Sequence, residues 1–153
     1  MARTLLPPRW VITTVWSGHR TLHRASAGRL GLRAPRPDLA GMLRLRAVGR
    51  TSGRERAVIL CYVEEGSAFV TLAMNGWDAA EPQWWRNLQA QPEALVETVD
   101  GTVAVRGRAA DAEEQARLWD RIRGVRGWAT DLDAMAALRG RPTTVVVLER
   151  RPA

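Results

Sequence analysis

Alternating apolar and polar residues between positions 42 and 73 predict three strands that follow one another closely. Met42–Val48 alternates leucine or alanine with arginine, which is typical of a strand with one buried face. Ala57–Val63 is an almost continuous apolar segment, and the polar turn Glu64-Glu65-Gly66-Ser67 separates it from the apolar segment Ala68–Ala73. Residues 57–73 therefore predict a β-hairpin.

Three further strands are predicted later in the sequence. Ala94–Val99 and Thr102–Ala109 flank the dipeptide Asp100-Gly101, and such a dipeptide between apolar segments is a strong signal for a hairpin. Thr143–Leu148 is a last apolar segment and follows Arg141-Pro142. The pattern as a whole gives about six strands in antiparallel hairpins.

Helical periodicity marks four other segments. Val11–Arg24 predicts a short amphipathic helix near the N-terminus. Residues 82–91 predict another, which opens with a proline, since a proline in the first turn leaves no needed N–H missing. Asp111 is the expected N-cap of a helix over Ala112–Arg123. A shorter helix is expected near Asp131–Leu138.

The order of these elements indicates the fold class. Strands do not alternate regularly with helices, so a doubly wound parallel sheet is disfavoured. We expect an α+β protein in which an antiparallel, barrel-like sheet carries peripheral helices. At 153 residues one domain is the natural size. We place it at residues 11–153, after a flexible lead-in over residues 1–10 that contains Pro7 and Pro8.

Charge and cysteine content narrow the classes of function. The net charge is +7, and every cation is arginine because the sequence has no lysine. A basic balance favours an anionic partner, which could be nucleic acid, a membrane surface or a phosphorylated small molecule. The single Cys61 cannot form an internal disulfide, and its apolar surroundings favour a structural thiol over a nucleophile.

The sequence predicts neither a secreted or membrane-spanning protein nor a metal-binding one. No apolar stretch is long enough for a signal sequence or a membrane span, which favours a cytoplasmic protein. His19 and His23 are four positions apart without a neighbouring carboxylate or thiol. This spacing favours a solvated helix face over a metal site, so we expect no metal.

An arginine-rich turn joins the first two predicted strands, at residues 49–56. It reads Gly-Arg-Thr-Ser-Gly-Arg-Glu-Arg and can direct N–H groups, hydroxyls and guanidinium groups towards one anion. The loop at Met74–Gly76 should emerge at the same edge of the sheet, and the helix that starts near Pro82 adds partial positive charge. These segments predict a site for a flat, phosphorylated heterocycle. The alternative interpretation is an exposed basic loop beside tryptophans that only seal the helix onto the sheet.

The same segments resemble the deazaflavin-dependent nitroreductase family of actinobacteria. The resemblance covers roughly residues 9–150 and rests on Gly-Arg-x-Ser-Gly-x-x-Arg at 49–56 and Pro-x-Trp-x-x-Asn-Leu-x-Ala-x-Pro at 82–92. It implies a split β-barrel similar to the barrels that bind flavin mononucleotide. It also implies hydride transfer from reduced coenzyme F420, an 8-hydroxy-5-deazaflavin, to a quinone, a nitro compound or an activated alkene.

The resemblance further assigns residues to the cofactor and to the electron acceptor. It places the phosphate and acidic tail of the cofactor at the arginine turn, the ring system near residues 73–75 and a wall along the following helix. The implied cofactor-binding residues are Arg50, Thr51, Ser52, Arg56, Ile59, Ala73, Met74, Asn75, Trp84, Trp85 and Asn87. The implied substrate-pocket residues are Trp77, Trp119 and Trp128.

The sequence departs from the family's pattern at three of these positions. Thr51 stands where a lysine is usual, Met74 where a serine is usual, and Ile59 where a proline is usual. Two alternatives stay open: the same barrel binding flavin mononucleotide, haem or another flat cofactor without turnover, and a non-enzymatic binder of nucleic acid or membrane. A monomer and a homodimer are both consistent with the sequence, and the basic N-terminal helix is a candidate for weak contact with a membrane surface.

Overall fold

The computed structural model describes residues 31–76, 78–128 and 130–152. The strands and helices named below belong to one compact unit, residues 32–153. The predicted N-terminal helix Val11–Arg24, with His19 and His23, lies outside the described residues. So does Trp77, one of the three tryptophans assigned to the substrate pocket.

Six antiparallel strands form a closed barrel in the order β1-β2-β3-β6-β5-β4. β1 closes the barrel because it pairs with β2 on one side and with β4 on the other. The expected fold class, an antiparallel barrel with peripheral helices, is confirmed. The strands are β1 Gly41–Val48, β2 Glu55–Glu65, β3 Ala68–Leu72, β4 Glu93–Thr98, β5 Gly101–Ala109 and β6 Val145–Arg150.

Three helices lie among the described residues, namely α1 Gln83–Ala90, α2 Ala112–Arg123 and α3 Leu132–Leu138. The predicted N-cap of α2 is confirmed: the Asp111 side chain accepts a hydrogen bond from the Glu114 N–H, and the Glu114 side chain accepts one from the Asp111 N–H. This reciprocal capping box satisfies two N–H groups that the first helical turn leaves without backbone partners.

Two strands differ by more than one residue from the sequence prediction: β2 is longer, and β6 is shifted along the chain. β2 begins at Glu55 and ends at Glu65, because its pairing with β1 and β3 continues beyond the apolar segment. β6 begins at Val145, two residues later than expected. Thr143 and Thr144 are instead used in other bonds: the Thr143 hydroxyl accepts from Arg139, and the Thr144 carbonyl accepts from the Ala73 N–H.

Alternation along the strands separates two apolar clusters. The barrel core contains inward residues such as Leu43, Leu45, Val96 and Leu148, and three α1 residues, Trp84, Trp85 and Leu88, complete it. A Cβ on Gly107 of β5 would lie only 2.9 Å from Leu88 Cδ1, so the glycine allows α1 to approach the barrel closely. The helix-side core lies between the outer face of β2, β3 and β6 and the helices α2 and α3; it comprises Val63, Val70, Leu72, Leu118, Ile122, Leu132, Val145 and Val147.

In the part of the chain that the structure describes, no helix has the length and apolar character needed to cross a bilayer.

Candidate functional site

A groove of about 510 Å³ opens between the β1–β2 turn and the start of α1. Backbone and side-chain groups from four segments meet in it: the inner face of β1, the turn with the start of β2, the loop after β3, and α1. The lining residues are Leu45, Ala47, Gly49, Arg50, Thr51, Ser52, Arg56, Ala57, Val58, Asn75, Pro82, Gln83, Trp84 and Asn87.

The arginine turn is a compact loop held by its own backbone. The Gly49 N–H donates to the Arg54 carbonyl and the Gly53 N–H donates to the Gly49 carbonyl, both at 2.8 Å. Gly53 has a φ of 68°, a conformation that glycine adopts at little cost. The Ser52 hydroxyl accepts from the Arg54 N–H at 3.2 Å, and a Cβ on Gly49 would lie 2.8 Å from that hydroxyl. The sequence therefore fixes the backbone of this turn.

Arg50 is tied to α1 by three hydrogen bonds. Its Nη1 donates to Asn87 Oδ1 at 2.8 Å, and its Nη2 donates to Gln83 Oε1 at 2.7 Å. Its backbone N–H also donates to Asn87 Oδ1, at 3.1 Å. Asn87 is only 5% exposed, so its side chain is a fixed anchor. Because a guanidinium has five N–H donors, the remaining donors of Arg50 are available to a ligand.

The electrostatic character of the groove is positive. Arg50 and Arg56 line it, and none of the described lining residues is acidic. Neither arginine forms an ion pair with a described carboxylate; the nearby Glu55 is paired with Arg46 on the outer face of β1. Pro82 is the N-cap of α1 and the first turn of the helix holds no acidic residue, so the helix start adds partial positive charge.

The floor of the groove is apolar. Leu45 and Ala47 come from the buried face of β1, Val58 from the same face of β2, and Trp84 from α1. Trp84 is 9% exposed and packs edge-on against Trp85, with ring centroids 6.3 Å apart. A cationic rim over an apolar floor suits a flat molecule with an anionic tail.

The structure brings seven of the predicted cofactor residues into this groove: Arg50, Thr51, Ser52, Arg56, Asn75, Trp84 and Asn87. The other four lie elsewhere. Ala73 and Trp85 are part of the barrel core, and Met74 packs against the helix-side core. Ile59 is 3% exposed and does not line the groove.

The two described residues assigned to the substrate pocket lie in a different part of the unit. Trp119 and Trp128 pack against the helix-side core. The Trp119 Nε1–H donates to Asp133 Oδ1 at 2.7 Å, which links α2 to α3. Neither residue lines the groove.

Sequence reasoning gave no individual role to Gln83, Pro82 or the apolar floor. Alternation along β1 was a usable signal for the floor, because it placed Leu45 and Ala47 on the inner face. Nothing in the sequence indicates that Gln83 accepts from Arg50, since 33 positions separate the two residues.

Cys61 is protonated at neutral pH, because burial raises the pKa of its thiol to about 11. Its Sγ lies 3.4 Å from the Gly127 carbonyl oxygen, which agrees with the predicted structural role. No cluster of three or more histidine, cysteine, aspartate or glutamate residues suited to a metal occurs within the described ranges.

Comparison with known proteins gives consistent findings. The family model for F420H(2)-dependent quinone reductases matches residues 17–150. The chain is 28% identical over 135 residues to an F420H(2)-dependent quinone reductase of Mycobacterium tuberculosis, covering 87% of this chain and 88% of the relative.

Solved structures support the same fold. A structure described as an F420-H2 dependent reductase has a TM-score of 0.62 at 24% identity, over 78% of this chain and 100% of that chain. A second, described as a domain-swapped dimer, has a TM-score of 0.60 at 24% identity, over 90% of this chain and 99% of that chain.

Proposed function

The chain belongs to the F420H(2)-dependent quinone reductase family, and we propose that the groove between the arginine turn and α1 holds its deazaflavin cofactor. The protein is an oxidoreductase that uses reduced coenzyme F420 to reduce a small-molecule acceptor. Membership of this family disfavours the two alternatives, a cofactor binder without turnover and a non-enzymatic binder of nucleic acid. The roles of individual residues below are our proposal.

One observation carries the assignment: the Arg50 guanidinium is held over an apolar floor by Gln83 and Asn87. A cation that is already oriented loses little side-chain entropy when an anion binds. The planar guanidinium also matches the geometry of a phosphate oxygen pair. The held guanidinium is therefore suited to the phosphate of the cofactor.

The other groove residues complete a donor set that fits a deazaflavin. Arg56 adds a second cation, Thr51 and Ser52 add hydroxyls, and no described carboxylate opposes them. Thr51 contributes a hydrogen bond where a lysine would contribute charge, so Arg50 and Arg56 carry most of the attraction. The apolar floor beside Trp84 would take the flat ring system and exclude water from one of its faces.

The bound cofactor supplies the hydride chemistry, and the protein supplies binding, orientation and shielding from water. In this proposal Arg50 and Arg56 hold the anionic tail, so the ring position follows from where the tail is fixed. Asn75, near the start of the loop after β3, lines the groove and in this proposal contacts the ring edge.

The Arg50→Ala variant tests the site. Cofactor affinity should fall by about 1.5–3 kcal/mol, the range for a hydrogen bond to a charged group. A fluorescence titration with reduced and oxidised coenzyme F420 measures it. Arg54→Ala is the matched control, because Arg54 lies in the same turn, is exposed and does not line the groove. Equal affinities for the wild type and Arg50→Ala would place the cofactor elsewhere.

Assembly and membrane contact remain predictions. A solved structure of similar fold is described as a domain-swapped dimer, and light scattering of the purified protein distinguishes a monomer of 17.0 kDa from a homodimer. The predicted N-terminal helix lies outside the described residues, so its contact with a membrane surface is tested by sedimentation with anionic vesicles.

A further inference from the structure

Arg139 is a buried arginine that the proposed function does not use. It follows α3 as its C-cap residue, and its side chain has no exposed area. Its Nη1 donates to the Thr143 hydroxyl at 2.6 Å, and its Nε donates to the Asp78 carbonyl at 2.9 Å. Its Nη2 has no hydrogen-bond partner among the described residues and lies 3.6 Å from Glu81 Oε1.

A buried guanidinium with an unsatisfied nitrogen is costly, so it calls for an explanation. Burial lowers the pKa of Arg139, while the nearby Glu81 carboxylate opposes that effect. A hydrophobic residue would fill this space without the desolvation cost. An apolar side chain could not contact a backbone carbonyl, a hydroxyl and a carboxylate at the same time, as Arg139 does.

Two of the three groups that Arg139 contacts, the Asp78 carbonyl and the Glu81 carboxylate, belong to the connection between β3 and α1, defined here as residues 78–82. Arg141 binds the same connection: its Nη1 donates to the Ala79 carbonyl at 3.1 Å, and its Nε lies 3.4 Å from Glu81 Oε1. The segment after α3 therefore contacts the connection at residues 78, 79 and 81.

Both ends of this connection reach the groove. On one side the Asp78 N–H donates to the Asn75 carbonyl at 3.2 Å, and Asn75 lines the groove. On the other side Pro82 and Gln83 line it, and Gln83 accepts from Arg50 at 2.7 Å. A continuous series of contacts thus joins Arg139 to the guanidinium that we assign to the cofactor.

We propose that Arg139 is a positioning residue for the groove: it fixes the connection at residues 78–82, and through Gln83 it fixes Arg50. The inference rests on the proposed function as far as the identity of the ligand is concerned. Arginine suits the role because its planar fork reaches acceptors in three directions, whereas the single ammonium of a lysine does not.

The test compares three variants with the wild type. Arg139→Met and Arg139→Lys remove the three-way contact, and Arg141→Gln loosens the same connection from a half-exposed position. Each should weaken binding of coenzyme F420 by roughly 3- to 30-fold, the range found when residues act on a site through others. Arg139→Lys should not restore the wild-type affinity.

Arg108→Met is the matched control. Arg108 also forms several bonds, to Glu114 and Glu149, but it touches neither the groove nor the connection. Its loss should lower the melting temperature and leave cofactor affinity unchanged. If the Arg139 variants lose no more affinity than this control, the positioning role is wrong and Arg139 only stabilises the fold.

A second readout needs no ligand. Amide hydrogen exchange at residues 83–87 of the free protein should speed up in Arg139→Lys and Arg141→Gln and stay unchanged in Arg108→Met. Unchanged exchange there would overturn the proposal even if affinity fell. A wild type that fails to bind coenzyme F420 would instead overturn the proposed function, while the exchange data would still decide whether Arg139 holds this wall of the groove.

Discussion

At the scale of single residues, the groove depends on the side-chain oxygen of Asn87, Oδ1. That oxygen accepts from both the backbone and the side chain of Arg50. It therefore fixes the turn and the cation together. The neutral amide leaves the charge of Arg50 available, which a carboxylate in the same place would cancel.

The Asn87→Asp variant separates these two effects. Aspartate has nearly the same shape and can accept the same bonds, so the free energy of unfolding should stay within about 1 kcal/mol of the wild type. Cofactor affinity should fall about tenfold, or about 1.4 kcal/mol, because the new carboxylate neutralises Arg50. Fluorescence titration and urea unfolding measure the two quantities.

Gln91→Glu is the control for overall charge, since Gln91 is the exposed C-cap residue of the same helix. It should bind the cofactor as the wild type does. An Asn87→Asp protein with unchanged affinity would mean that Arg50 does not contact the anionic tail.

The roles of charged and hydroxyl residues in a local turn could be predicted from the sequence. The roles of residues that depend on tertiary contacts could not. Arg50 and Ser52 lie in a short turn bounded by glycines, so local structure alone predicts that both can face the same ligand. Gln83 contacts Arg50, 33 positions away, and Arg139 contacts Asp78, 61 positions away. The family resemblance implies a place for Met74 at the ring system, but its side chain packs against the helix-side core.

At the scale of elements, α1 has two roles on two faces. Trp85 and Leu88 are buried in the barrel core, whereas Gln83 and Asn87 face the arginine turn. Residues three and four positions apart share a face of a helix, so the spacing of Gln83 and Asn87 brings both amides to Arg50. The alternative of tryptophans that only seal the helix applies to Trp85, while Trp84 also lines the groove.

The capping box of α2 gives a prediction at this scale. Asp111→Ala removes the acceptor for the Glu114 N–H and should lower the free energy of unfolding by about 1 kcal/mol. Asp120→Ala is the comparison: Asp120 is an exposed residue in the same helix that pairs with Arg123, and its loss should cost less than about 0.5 kcal/mol. Urea unfolding of both variants measures the difference, and similar costs would show that the cap contributes little.

Most elements could be predicted because their signals are local. The helix Ala112–Arg123 has its cap, its acidic first turn and its basic last turn in sequence, and the structure has the same bounds. The ends of β2 and β6 could not be predicted in this way. They depend on which neighbouring strand continues to offer hydrogen-bond partners, and that is a property of the closed sheet.

At the scale of the whole molecule, carboxylates that are paired with arginines determine how stability responds to acid. Hydrogen bonds from Arg108 lower the pKa of Glu114 to about 2, from a reference value of 4.5. A carboxyl with a depressed folded-state pKa contributes its stability above the unfolded value and loses it as the pH falls through the folded value. The contribution of Glu114 should therefore disappear between about pH 4.5 and about pH 2.

Glu114→Gln tests this dependence. The variant should be less stable than the wild type at neutral pH, and the gap should close as the pH falls through that interval. Urea midpoints across the pH range measure it. Glu113→Gln is the control, because Glu113 is exposed and forms no ion pair with a described residue; its curve should run parallel to that of the wild type. A gap for Glu114→Gln that persists at the lowest pH would contradict the ion-pair explanation.

That the strands form an antiparallel barrel could be predicted from the sequence, but the order of the strands in the barrel could not. Hairpins follow from adjacent segments, so the β1–β2, β2–β3 and β4–β5 pairs could be expected. The pairs that close the barrel join β1 to β4 and place β6 between β3 and β5. No local pattern encodes these distant pairings, and the resemblance to a known family implied a split β-barrel without giving an order of strands.

The position of β6 has a consequence for synthesis in the cell. The ribosome releases this strand after the other five, yet it fills the gap between β3 and β5. Until it emerges, the nascent chain presents two sheet edges with unpaired backbone groups, which are the surfaces that chaperones protect from aggregation. The turn and helix that form the groove are made early, but they acquire a complete barrel to rest on only when the last strand docks.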